Sequence, residues 1–268
     1  MTDVRLHIDD SGGGGRPVVL IHPWPLAAES WAPQTDALVS AGHRVVRYDR
    51  RGFGRSDKPA HGFDYDTLAG DLDRVLAELE LDDVALVGHS MGGGEVARYV
   101  SVFGEQRVRS VVLLAAVPPF LLQGDDNPEG PLPEDGYRQM REQLDADREA
   151  FLDGFVRSFY SNADGLQASE QQVAAGIALA LGSSPAAALA TMDAWATTDF
   201  RDDIGTITVP TLVLHGDGDQ LTPFEGSGRR THETIEHSEL VLVPGGTHGL
   251  NLTHAEACNA ALLEFLER

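Results

Sequence analysis

The stretch Asp83-Val84-Ala85-Leu86-Val87-Gly88-His89-Ser90-Met91-Gly92-Gly93-Gly94-Glu95 decides how this chain folds. Val84 to Val87 is a short apolar run with the length of a buried strand. Val96, Tyr99 and Val100 then continue at helical spacing. Between the two lies Gly88-His89-Ser90-Met91-Gly92, which fits G-x-S-x-G, a sharp strand-to-helix turn that presents a serine in strained backbone geometry. Glycines are expected there because a chain doubling back so tightly has no room for a Cβ two residues either side of the serine. The N–H groups at the start of the following helix favour negative charge at the same place. A Gly-rich turn with a capping serine would share the five-residue pattern. The strand before it and the helix after it favour a nucleophile.

The 268-residue chain is long enough for one large α/β domain, or for such a domain with an inserted subdomain, and 42% hydrophobic residues can fill a sizeable core. No stretch approaches the roughly 18 apolar residues of a membrane span. The polar start, Met1 to Asp10, lacks a signal-peptide core, so a cytoplasmic location is expected. Cys258 is the single cysteine, which excludes an intrachain disulfide, and its apolar position in a helical pattern reads as a buried, inert thiol. Forty-two acids against 20 bases give a net charge of −22, and Lys58 is the sole lysine. Such a charge repels nucleic acid and anionic membrane, so neither is expected as a partner. It also fits a halophilic or salt-tolerant source; a GC-rich genome would likewise replace lysine by arginine but explains the acid excess less well.

Strand patterns fall at Val4 to Ile8 (an edge strand), Val18 to Ile21, Arg44 to Tyr48, Val84 to Val87, Val108 to Val117, Thr211 to His215 and Leu240 to Val243. Helical patterns fall between them at Ser30 to Val39, with Ser30 as N-cap, Asp66 to Leu81, after Ser90, Gly226 to Ile235 and Ala255 to Leu266. From Phe120 the character changes. A turn-rich acidic loop, Gln123 to Gly136, precedes helical patterns at about Tyr137 to Tyr160, Ser169 to Leu181 and Pro185 to Ala196, with no strand among them. The expected organisation is a mostly parallel, doubly wound sheet at 1–120 and 206–268, with an all-helical cap inserted at 121–205. Ligands of such sheets sit beyond the C-terminal ends of the strands, where Trp24, Asp49, Ser90 and Asp217 fall.

A serine hydroxyl becomes nucleophilic when a base takes its proton, and the base is usually a histidine held by a carboxylate. In this topology the acid and then the histidine follow the serine. His215-Gly216-Asp217-Gly218-Asp219 offers two acids after the Thr211 strand. Asp219 lies further out on the loop and is the better choice, while Asp217 fits a turn residue bonding its own backbone. Pro244-Gly245-Gly246-Thr247-His248-Gly249 places His248, alone among ten histidines, in a glycine-rich strand-end loop near the C-terminus. An oxyanion needs two N–H donors. Met91, directly after the serine, supplies one. In the loop after the Val18 strand Pro23 and Pro25 have no N–H, which leaves Trp24.

These residues resemble the α/β-hydrolase superfamily over nearly the whole chain. More narrowly, His22-Pro23-Trp24-Pro25-Leu26, Asp49-Arg50-Arg51-Gly52-Phe53-Gly54-Arg55-Ser56, Gly88-His89-Ser90-Met91-Gly92-Gly93 and Asp126-Asn127-Pro128-Glu129-Gly130 are similar to the cofactor-free haloperoxidase and aryl-esterase branch, which includes perhydrolases. Pro23 departs from the glycine usual in that branch and stiffens the loop. The resemblance implies hydrolysis of small esters, peracid formation when hydrogen peroxide replaces water, and no metal or haem cofactor. Phe151, Phe155 and Phe159 recur every four residues on one helix face; packing suffices for Phe151, and Phe155 and Phe159 are expected over the serine as acyl pocket. Val117, Phe120, Leu221, Phe224 and Leu250 flank the motif loops and are further candidate walls. The expected chemistry is an acyl-enzyme on Ser90, with His248 as base, Asp219 as its orienter, and water or hydrogen peroxide as acceptor. A carbon–carbon bond hydrolase, a lactamase and a non-catalytic ligand receptor on the same fold are the alternatives. The sequence leaves homo-oligomerisation open.

Overall fold

Alternating apolar residues build a seven-stranded sheet in the computed structural model, which describes residues 4–268. Its strands are β1 (His7–Asp10), β2 (Pro17–Ile21), β3 (Arg44–Asp49), β4 (Val84–His89), β5 (Val108–Leu114), β8 (Thr211–Gly216) and β9 (Glu239–Val243). A separate two-stranded hairpin holds β6 (Ser161–Asn162) and β7 (Gly165–Leu166). The sheet order is β1-β3-β2-β4-β5-β8-β9; β1 is antiparallel to β3 and every other pair is parallel. The order reverses direction around β2 and β4, and the loops after these strands open a crevice at one edge.

Side chains two apart share a sheet face, so each strand feeds two core layers. Val19, Ile21, Leu86 and Val111 pack against α2 (Tyr65–Glu78) and α3 (Met91–Phe103) through Leu68, Leu72 and Val96. Val18, Leu20, Val87 and Val112 face α1 (Ala32–Ser40) and α11 (Ala255–Leu266) through Leu38, Leu262 and Phe265. Four longer helices follow β5: α4 (Glu134–Ala146), α5 (Arg148–Phe159), α6 (Glu170–Leu181) and α7 (Pro185–Thr197). Short helices α8 (Arg201–Ile204), α9 (Gly228–Thr234) and α10 (Leu250–Thr253) complete the chain. Among the described residues, no single helix is long and apolar enough to cross a membrane.

Several boundaries differ from the sequence reading. The edge strand begins at His7 rather than Val4, because its partners on β3 are Val46 to Asp49. Ser30 lies inside a 3-10 turn, Ala28–Trp31, and its hydroxyl bonds back to the Ala27 carbonyl at 2.7 Å instead of capping α1. Beyond Leu114 the strand stops, since Ala115 takes a positive φ of 41° and turns the chain toward the serine. The long helical pattern over Tyr137 to Tyr160 breaks at Asp147, whose carboxylate caps α5 through the Ala150 N–H. The β6–β7 hairpin interrupts the helical region, where no strand is expected from sequence.

The Asp49 to Ser56 loop is built around buried charge. Asp49 accepts from the Ala28 and Arg55 N–H groups at 2.9 and 2.8 Å. Arg51 pairs with Asp71 through two hydrogen bonds. Arg50 bonds Glu95 of α3 at 2.7 Å and the His22 carbonyl at 3.0 Å, which ties the serine helix to the loop after β2. Cys258 is wholly buried, and burial pushes its thiol up to about 12, well away from reactive thiolate.

Candidate active site

Ser90 stands between β4 and α3 with φ 55° and ψ −118°, a conformation that side-chain-bearing residues rarely take. Its N–H bonds the Leu114 carbonyl at 2.9 Å, and its own carbonyl accepts from Gly93 and Val117. The flanking glycines are needed for close approach rather than for unusual φ. A Cβ at Gly88 would lie 2.4 Å from the Gly92 carbonyl oxygen, and one at Gly92 would lie 2.4 Å from that of Ile21.

Ser90, Asp219 and His248 meet at the C-terminal edge of the sheet, as the sequence leads one to expect. His248 Nδ1 lies 2.7 Å from Asp219 Oδ2, and Nε2 lies 2.9 Å from Ser90 Oγ. A carboxylate only accepts, so Nδ1 carries the proton and Nε2 is free to accept from the serine hydroxyl. Asp219 is completely enclosed. Its Oδ1 accepts from the Leu221 and Thr222 N–H groups, both at 2.9 Å, and its Oδ2 accepts from the Thr222 hydroxyl at 2.8 Å. Burial alone would raise this carboxyl, but His248 and the hydrogen bonds from His215 and His248 outweigh it and hold the group well below the usual carboxylate range.

Two further histidines support the cluster. His215 Nε2 donates to the Thr222 carbonyl at 2.8 Å and lies 3.3 Å from Asp219 Oδ2. His89 Nε2 bonds the His248 carbonyl at 2.8 Å, and burial pushes its basicity well down, so it stays neutral. His22 is likewise kept neutral, first by burial and then by the Arg50 charge. Its Nδ1–H donates to the Pro23 carbonyl, which fixes the loop carrying Trp24. Asp217 does not bond its own turn as expected; it accepts from the Gly245 N–H at 2.5 Å and links two loops, the second of which carries His248.

Met91 is the first residue of α3, so its N–H has no acceptor within the helix. Trp24 lies outside any helix or strand; its indole N–H donates to the Ala188 carbonyl at 3.2 Å, and no hydrogen bond engages its main-chain N–H among those between described residues. Both residues are buried.

A cavity of about 180 Å³ opens onto Ser90 and His248. Of the expected walls, Val117, Phe155 and Leu221 line it. Four expected walls do not. Phe159 is fully buried and sets its ring edge-on to His248 at 4.7 Å, so it supports the imidazole instead of enclosing an acyl group. Phe120 turns away beneath the Arg201 guanidinium at 5.5 Å. Phe224 packs on the His215 ring at 5.7 Å. Leu250 is fully buried in the α1/α11 core layer. The walls missed from sequence include Leu121, Leu132, Met140 and Trp195, the polar Gln220 and Thr222, and Trp24 itself. A larger cavity, about 380 Å³, opens at the opposite end of the sheet near Arg16, His43 and Ser110, where Ser90, Asp219 and His248 are absent. Among the described residues, no group of three or more His, Cys, Asp or Glu side chains is arranged to hold a metal.

The chain belongs to the alpha/beta hydrolase fold family, whose pattern it matches over residues 16–255. Within that family it is 44% identical over 258 residues to a putative non-heme chloroperoxidase of Synechocystis, covering 95% of this chain and 92% of the relative. It is 36% identical to a bifunctional esterase/perhydrolase of Acinetobacter calcoaceticus, over 98% and 96% of the two chains. The crystal structure of a bromoperoxidase from Bacillus anthracis superposes with a TM-score of 0.97 at 47% identity, covering 99% of this chain and 96% of that one.

Proposed function

We propose that this protein is a serine hydrolase that cleaves small carboxylic esters through an acyl-enzyme and also passes the acyl group to hydrogen peroxide. The observation that carries the reading is the continuous hydrogen-bonded line from Ser90 Oγ through His248 to Asp219, opening onto an apolar cavity. His248 Nε2 takes the serine proton as Oγ attacks the ester carbonyl. The Trp24 and Met91 N–H groups stabilise the resulting oxyanion. The protonated imidazole, stabilised by Asp219, then returns its proton to the leaving alcohol. In the second half, His248 removes a proton from water or hydrogen peroxide. Attack on the acyl carbon releases Ser90 and either a carboxylic acid or a peroxycarboxylic acid. A peroxycarboxylic acid oxidises halide in solution, which accounts for haloperoxidase names among the relatives.

A cavity of about 180 Å³ suits short acyl groups, since an apolar cavity of about 150 Å³ accepts benzene. The segment 121–205 supplies Leu132 from the loop before α4, and Met140, Phe155 and Trp195 from its helices, which supports reading it as a cap over a core of 1–120 and 206–268. A 28% identical relative is a 2-hydroxy-6-oxononadienedioate/2-hydroxy-6-oxononatrienedioate hydrolase. The present cavity has no Lys or Arg in its lining to neutralise such a dianion, which favours ester substrates. The test is a chain-length series of aryl esters with and without hydrogen peroxide. Turnover of the short members, with peracid appearing when peroxide is present, is expected; a single acyl burst without turnover would favour a ligand receptor.

A further inference from the structure

Among the described residues, three methionines are placed very differently. Met91 and Met192 are fully buried, whereas Met140 of α4 is partly exposed and lines the cavity that opens onto Ser90. A thioether is the most readily oxidised side chain in that lining, ahead of the Trp24 and Trp195 indoles. The cavity holds only about 180 Å³, so a peroxycarboxylic acid leaving Ser90 is released within a few ångströms of every wall.

We infer that Met140 is a product-oxidised site through which peracid formation limits itself. This rests on the perhydrolysis proposed above. The peroxycarboxylic acid transfers its terminal oxygen to the Met140 sulfur. The O–O bond breaks, an S–O bond forms, the sulfur gives up two electrons, and the hydroperoxide proton leaves on the departing carboxylic acid. The acid formed is the same one that ordinary hydrolysis gives. Methionine sulfoxide is polar, and it would stand in a cavity whose other walls, Val117, Leu121, Leu132 and Phe155 among them, are mostly apolar. Apolar acyl groups then bind less well, while Ser90, Asp219 and His248 are untouched. The oxidised enzyme therefore loses affinity before it loses its chemistry. The change is reversible, because methionine sulfoxide is a substrate for methionine sulfoxide reductases.

The experiment incubates the full-length protein with p-nitrophenyl acetate plus hydrogen peroxide, with peroxide alone, and as Ser90→Ala with both reagents. Peracid is followed by halide oxidation, and the oxygen content of each methionine by peptide mass spectrometry. One added oxygen on Met140, confined to the wild-type arm with both reagents and absent from Met91 and Met192, is expected. KM for p-nitrophenyl butyrate should then rise roughly fivefold or more with a smaller change in kcat, and reductase treatment should restore it. Met140→Leu, whatever its starting KM, should hold that value through the incubation. Peracid formation with Met140 unmodified would overturn the inference and leave perhydrolysis standing, as would equal oxidation in the Ser90→Ala arm. A wild-type enzyme that makes no peracid would remove both.

Discussion

The His89 imidazole donates through Nε2 to the main-chain carbonyl of His248 at 2.8 Å, so the residue before the serine holds the backbone of the histidine proposed as its base. The end of β4 and the loop after β9, three places away in the sheet, are thereby locked to each other by one buried hydrogen bond. His89 also packs against the Phe159 ring, which in turn meets His248 edge-on.

His89→Phe should keep most of that packing and remove the donor. A buried carbonyl left unpaired costs about 1–3 kcal/mol. The variant should lose about that much stability in urea, and its kcat on p-nitrophenyl acetate should fall more than its KM rises.

His215→Phe addresses the other support. His215 donates to the Thr222 carbonyl and lies beside Asp219 Oδ2. Without it the loop holding Asp219 loses a buried tie, while the Leu221 and Thr222 N–H groups remain. A drop in kcat of roughly tenfold is expected, as second-layer partners of catalytic groups commonly give.

Asp219 gives a pH dependence of stability whose sign follows from its lowered carboxyl. Its folded value lies below the unfolded one, so its stabilisation is complete above the ordinary carboxylate range. Below about pH 5 the unfolded chain begins to take up a proton that the folded carboxylate refuses, and stability falls. Urea unfolding at pH 7 and pH 3.5 should show a smaller loss for Asp219→Asn than for the wild type. An equal loss would place the acid sensitivity in other carboxylates.

Gly92→Ala tests the tight turn. The added methyl would meet the Ile21 backbone oxygen at 2.4 Å, and backbone cannot swing aside as a side chain can. A loss at the upper end of the roughly 1–3 kcal/mol range for overpacking is expected in thermal unfolding, with esterase activity falling further because Ser90 shifts.

The net charge of −22 should make stability depend on salt. Repulsion among like charges weakens as the screening length drops from about 30 Å at 0.01 M to about 3 Å at 1 M. Tm should therefore rise with sodium chloride over that range, as differential scanning calorimetry would show.

What the sequence made legible is what is local or ordered along the chain. Gly88, Ser90 and Gly92 announce the turn because the pattern lies within five residues, and the close approach that demands glycine at Gly88, to the Gly92 carbonyl, is local; at Gly92 it is to Ile21 of β2. Asp219 and His248 follow because each lies in the loop after a strand whose apolar run is clear, and the order of loops along one sheet edge does the rest. The cavity walls were harder. Leu132 comes from a loop, and Met140 and Trp195 from inserted helices, whose placement over the sheet no periodicity encodes. The four-residue recurrence of Phe151, Phe155 and Phe159 marked the right face of α5. It could not show that this face is shared, with Phe155 turned to the cavity and Phe159 to the His248 ring. The two-residue strands of the β6–β7 hairpin are too short to leave any alternation.

The central claim is that the Ser90 hydroxyl is the nucleophile and that His248 and Asp219 serve it. The most direct measurement is the kcat of Ser90→Ala on p-nitrophenyl acetate, with circular dichroism confirming the fold. Loss of about 10⁴–10⁶-fold, down to the level that an oxyanion site and binding alone sustain, is the predicted result; a folded Ser90→Ala enzyme that retained wild-type turnover would contradict it.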